Sequence, residues 1–183
     1  MESLLHLVTE LEEYGIEKEY SSGQYFINAG QIPDKVGIVK KGLFRYYYLT
    51  DEGKEYTKVF MPEGSMLSSY SAMIGNTQSY FAIEAIETSV VSEIPYEKWK
   101  SLRVDDTKWD KLLIAFLEKG YGIKEKRERE FLLMDAESRY KEFLSDYPSL
   151  EKRVKQHMIA SYLGITPIAL SRVRKKMNTI NLC

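Results

Sequence analysis

Gln156–Met177, QHMIASYLGITPIALSRVRKKM, holds the residues best suited to chemistry with an anion. Ser171, Arg172, Arg174, Lys175 and Lys176 crowd one short stretch with hydroxyl, guanidinium and ammonium donors. Such donors match phosphate oxygens and the acceptor edges of bases in a DNA major groove. Donors alone also make an ordinary solvated face, so the scaffold around them decides. Ile159, Leu163, Ile165, Leu170 and Val173 fall at spacings that pack two short helices together. Ala160 is small where those helices must approach, and Gly164 stands where the chain must turn with a positive φ. Thr166 and Pro167 read as an N-cap hydroxyl followed by proline at the first helical position. The segment is a helix-turn-helix presenting a basic helix.

Charge is divided to match. From residue 151 onward seven cations face Glu151 alone, whereas the whole chain of 183 residues has a net charge of −1. The body is therefore acidic and its C-terminal end basic, a distribution suited to nucleic-acid binding by one part of the molecule. Other chemistries lack residues. The lone cysteine, Cys183, excludes a disulfide framework, a zinc finger and a cysteine-held iron–sulfur cluster. The two histidines, His6 and His157, lie outside the glycine-punctuated region, so a cupin-like metalloenzyme would find no imidazole there. No catalytic constellation, metal site or cofactor is expected. No apolar run reaches the roughly 20 residues of a membrane span. MESLLHLVTELEEYG carries four glutamates and no basic n-region, so a cytoplasmic protein without a membrane partner is expected.

The elements that must position the basic helix precede it. Residues 3–14 form a short amphipathic helix on Leu4, Leu7, Val8 and Leu11. Between Glu19 and Lys98, glycines at 23, 30, 37, 42, 53, 64 and 75 punctuate short aromatic and β-branched runs. Examples are Gln24–Asn28, Val36–Val39, Leu43–Thr50, Glu55–Phe60 and Ala82–Ile94, with a hairpin signal at Asp51-Glu52-Gly53. They predict a small antiparallel barrel or sandwich. Its aromatic cluster, with Tyr46, Tyr70, Tyr80 and Phe81, could line a pocket for an apolar or aromatic effector. After Pro95 comes a short helix, 96–102. Caps at Asp105, Asp106 and Thr107 then start a long helix to about Leu133. Trp109, Leu112, Phe116 and Ile123 recur along it as a stripe long enough for a dimer seam. Gly120 and Gly122 would admit a close second helix. Two shorter helices, 136–145 and 149–154, complete the core under the helix-turn-helix. The six residues after Met177 leave little or no wing.

In this order, a glycine-framed β-roll, a long helix and a C-terminal helix-turn-helix resemble the cyclic-AMP receptor protein/FNR (Crp/Fnr) family of bacterial transcription regulators. The resemblance is strong in AESRYKEFLSDYP and IASYLGITPIALSRVRKK. It is softer in GQYFINAGQ, KKGLFRYYYLTDEGKEYTKVF and MPEG. It implies an α+β chain with a cupin-like, cyclic-nucleotide-binding-domain-like β-roll over 1–104, a dimerisation helix over 105–134 and a DNA-binding unit over 135–183. It also implies a homodimer on a near-palindromic operator in double-stranded DNA, with recognition helices roughly 34 Å apart. A small-molecule effector and RNA polymerase are its further implied partners. By position, Ser171, Arg172 and Lys175 would read bases, and Lys155, Gln156 and Thr166 would grip phosphates. Ile168 stands where many members carry an acid, so the operator is expected to differ from that of the cyclic-AMP receptor.

The resemblance fails at the sensor. Nucleotide-binding members place an acid and, about ten residues later, an arginine on the ribose and cyclic phosphate. The matching stretch, EGSMLSSYSAMIGNTQSYFAIEA, has Ser69 and Ser79 there, and no Lys or Arg occurs between Lys58 and Lys98. An effector pocket at Ser69, Tyr70, Ser79 and Tyr80 would therefore not hold a cyclic nucleotide. Two other function classes fit the composition, and each has a discriminating experiment. An interaction module gripping an acidic protein or RNA with its basic end would fail to shift duplex DNA. A cupin-like enzyme would carry bound metal.

Overall fold

Glycine turns and alternating side chains shape the first half of the chain, and helical periodicity the second. A computed structural model describes residues 3–180, with Cys183 outside the described residues. In chain order the elements are α1 (Leu4–Glu13), β1 (Ile16–Tyr20), β2 (Tyr25–Ile27), β3 (Lys35–Lys41), β4 (Phe44–Leu49), β5 (Glu55–Met61) and β6 (Met66–Leu67). Then follow α2 (Tyr70–Ile74), β7 (Ala82–Ala85), β8 (Ser89–Pro95), α3 (Tyr96–Asp105), α4 (Lys108–Leu133), α5 (Ala136–Asp146), α6 (Gln156–Leu163) and α7 (Pro167–Ile180).

The strands form two four-stranded antiparallel sheets, ordered β1-β8-β3-β6 and β2-β7-β4-β5. The run from Ala82 to Ile94 divides into two strands, one in each sheet. The crossing between them is held by the Ser89 hydroxyl, which accepts from Leu43 N at 3.2 Å and donates to Glu87 O at 2.8 Å. Tyr20, Phe26, Phe44, Tyr46, Leu67, Phe81 and Ile83 fill the space between the sheets. The Asp51–Gly53 turn closes the β4–β5 hairpin, with Gly53 N donating to Thr50 O at 2.9 Å.

A second core joins α1, α3 and the start of α4 to the outside of the roll through Leu11, Val36, Ile94, Trp99, Trp109 and Leu112. Asp106 starts α4 by accepting from Lys108 N at 2.9 Å, while Thr107, the N-cap residue, makes no side-chain cap bond. Asp135 caps α5 as expected, accepting from Ser138 N at 2.8 Å. The helix expected over 149–154 is a single 3₁₀ turn, Leu150–Lys152. A third core gathers Tyr140, Phe143, Leu150, Ile159, Leu163 and Leu170 under α6 and α7, and takes in Leu43 and Phe60 from the roll. The residues after Met177 form no wing up to Ile180, where α7 ends. Residues 181–183 lie outside the described residues.

Candidate nucleic-acid interface

The turn between α6 and α7 sets the geometry of the basic face. Gly164 ends α6 in the left-handed region, at φ 68° and ψ 31°. Gly164 N donates to Ser161 O at 3.2 Å and Ile165 N to Ala160 O at 3.0 Å, a closure that satisfies the last carbonyls of the helix. Ala160 is fully buried beneath this turn. Thr166 then caps α7, its hydroxyl accepting from Ala169 N at 3.1 Å. Leu170 points into the core and Ile168 is exposed.

On the outer surface of this unit Lys155, Gln156, Thr166, Ser171, Arg172 and Lys175 are all exposed. Arg174, expected among the donors, is turned inward. It pairs with Glu151 at 2.6 Å and donates to the Tyr140 hydroxyl at 3.0 Å, so its guanidinium is engaged within the unit. Lys176 reaches back to Glu137 at 2.6 Å. What remains outward is a compact set of long cationic and short polar donors beside one exposed isoleucine. That set can bond phosphates and base edges and touch a thymine methyl.

The expected dimer stripe is largely internal. Trp109 and Leu112 are buried in the core that α4 shares with the roll, because α4 spends its first turns packing on α1 and α3. Phe116 packs partly against that core and Ile123 is half-buried. In its middle turns α4 instead exposes Ile114, Leu117 and Tyr121, at 53%, 46% and 69%, and at its C-terminal end Phe131, Leu132 and Leu133. A side chain added at Gly120 or Gly122 would meet nothing of this chain within 4 Å.

The expected effector pocket also divides. Ser69 and Ser79 are buried with their hydroxyls 2.9 Å apart, and Ser79 donates to Phe81 O at 2.7 Å. They satisfy each other and do not line the cavity beside α4. Tyr80 faces solvent at 86% exposure. Only Tyr70 of the four borders the cavity, which measures about 640 Å³ and lies between β5, α4 and the α5–α6 region. Lys58, Lys119, Lys124, Lys126 and Arg127 stand around it. Burial pushes the Lys58 ammonium below the usual lysine range, and the nearby Lys124 charge pushes it the same way. Burial works against Lys126 too, but Asp146 and Glu142 outweigh it and raise its pKa. Arg127, lowered chiefly by burial, donates to Thr57 O at 3.0 Å and Tyr162 O at 2.5 Å. Arg45 is buried against Glu55 and Glu84, at 2.7 and 2.6 Å. Among the described residues, no group of three or more His, Cys, Asp or Glu side chains could hold a metal ion. No described helix is long and apolar enough to cross a membrane.

Sequence reasoning missed the contacts that dock the C-terminal helical unit on the roll. Ser161 accepts from Thr57 N at 2.8 Å and donates to Glu55 O at 2.9 Å. Arg153 pairs with Glu63 at 2.8 Å and Glu87 at 2.5 Å. These partners lie far apart in the chain, and no local pattern links them.

Residues 17–106 match the cyclic nucleotide-binding domain. The fumarate and nitrate reduction regulatory protein of Vibrio cholerae is 27% identical over 86% of this chain, which spans 66% of that protein's length. Two solved structures share the fold. FixK2 of Bradyrhizobium japonicum is 19% identical at a TM-score of 0.80, over 91% of this chain and 86% of its own. A CooA mutant from Carboxydothermus hydrogenoformans is 18% identical at a TM-score of 0.78, over 98% and 85%. Roll, long helix and C-terminal helices run in this shared order, so the chain has the fold of these two solved structures.

Proposed function

We propose that this protein is a cytoplasmic, DNA-binding transcription regulator that acts as a homodimer on a near-palindromic operator. The observation that carries this reading is the α6–turn–α7 unit, whose donors Lys155, Gln156, Thr166, Ser171, Arg172 and Lys175 face outward while its apolar side closes a core. Residues 1–104 sense, 105–134 pair two copies, and 135–183 read DNA. Ser171, Arg172 and Lys175 meet base edges; Lys155, Gln156 and Thr166 meet phosphates. A small molecule other than a cyclic nucleotide modulates binding by shifting the population of DNA-competent arrangements. Where the operator overlaps a promoter, RNA polymerase is the neighbour such a regulator would touch. Selection of bound sequences from random duplex DNA tests the reading. A two-fold-symmetric consensus supports it, and recovery of no consensus overturns it.

A further inference from the structure

The cavity between roll, long helix and DNA-binding unit joins two features rarely left together without a purpose. Its wall is partly apolar, with Met61, Leu113, Phe116 and Tyr147. Its volume of about 640 Å³ falls in the range of small-molecule sites, about 300–1,000 Å³. Yet three lysines on the wall lack counter-charges. Among the described residues no carboxylate lies within ion-pair distance of Lys58, Lys119 or Lys124. The acids on the wall, Glu130 and Asp146, are engaged by Lys126 at 3.6 and 2.6 Å. Lys58 is half-buried, and its ammonium sits 4.1 Å from the centre of the Phe81 ring. A half-buried cation without a counter-charge is costly, and an incoming anion relieves that cost.

We propose that this cavity binds a small organic anion, with its acidic group between Lys58 of the roll and Lys124 of α4 and an apolar body along Met61, Leu113, Phe116 and Tyr147. The site is displaced from the Ser69–Ser79 pair, whose hydroxyls bond each other. Its regulatory meaning rests on the reading of the chain as a DNA-binding regulator. A ligand here would touch the roll, the long helix and, through Tyr147 and Tyr162, the DNA-binding unit at once.

The test uses the full chain and two dyes with the same rings. 8-Anilinonaphthalene-1-sulfonate carries a negative charge, and N-phenyl-1-naphthylamine carries none. The sulfonate is expected to bind saturably, once per chain, at least tenfold more tightly than the neutral dye. Benzoate should displace it, and inorganic phosphate, lacking an apolar body, should not. Lys58→Met with Lys124→Met should erase the preference for the sulfonate and leave neutral-dye binding intact, which also reports a folded cavity. No saturable binding, equal binding of both dyes by the native protein, displacement by phosphate at equal concentration, or a preference that survives the double replacement would each overturn the proposal. The selected operator is titrated against the same samples. Failure to bind DNA with the dye preference intact sinks the regulator reading alone, and the reverse pattern sinks the ligand site alone.

Discussion

Arg172 and Arg174 share a helix and differ in where their guanidinium groups go. Arg174 is engaged by Glu151 and Tyr140, whereas Arg172 is exposed. Replacing Arg172 with alanine is expected to cost about 1–3 kcal/mol on the preferred operator and to relax preference at one base pair. Lys155→Ala should weaken all duplexes about equally and lower the salt slope by about 1. Gel shifts across salt and sequence check both. A uniform loss for Arg172→Ala would make it a phosphate contact instead. The sensor residues lead to a second expectation. Ser69 and Ser79 hydrogen-bond each other, and Arg45 is committed to Glu55 and Glu84. Neither serine can neutralise a cyclic phosphate. Cyclic AMP should therefore bind no better than millimolar, about 4 kcal/mol short of micromolar. Isothermal titration giving a low-micromolar constant would contradict this.

α4 shows how far an element can be read before its surroundings are known. Its existence and its end near Leu133 follow from caps and periodicity. Which stripe faces inward does not, because Trp109 and Leu112 repeat at the same helical spacing whether the surface beyond is the roll or a second copy. Local signals were legible where one short segment contains both partners: Gly164 at its positive φ, Thr166 and Asp135 at their caps, Gly53 in its turn. The break between β7 and β8 was hidden because β-branched residues, Ile86 and Thr88, continue across it while the chain changes sheets. Contacts such as Arg127 to Thr57 leave no local trace at all. Under the proposed pairing of two copies along α4, the exposed ridge of Ile114 and Tyr121 is the expected contact face. Charged replacements there, Ile114→Glu with Tyr121→Glu, would place unpaired carboxylates in that contact, a severe penalty. Sedimentation should then show a monomer with unchanged helix content. An unaltered dimer would place the interface elsewhere.

Across the whole molecule, a few long-range hydrogen bonds help to fix the C-terminal helical unit on the edge of the roll. Ser161 alone bonds both Thr57 N and Glu55 O. Ser161→Ala leaves those backbone groups without that partner, a loss of about 1–3 kcal/mol where they stay dry. Hydrogen–deuterium exchange should show faster exchange at the Thr57 amide, with the β3–β8 amides unchanged. Equal rates at Thr57 would mean the docking does not depend on this hydroxyl. Phe60 belongs to β5, yet it packs among Phe143, Tyr147 and Tyr162 beneath the helix-turn-helix. A cavity or an overpacked ring at such a place destabilises both sides. Chimeras that join the roll of one relative to the reader of another will therefore inherit mismatched side chains at this seam, unless Leu43 and Phe60 travel with the reader as part of its transplant.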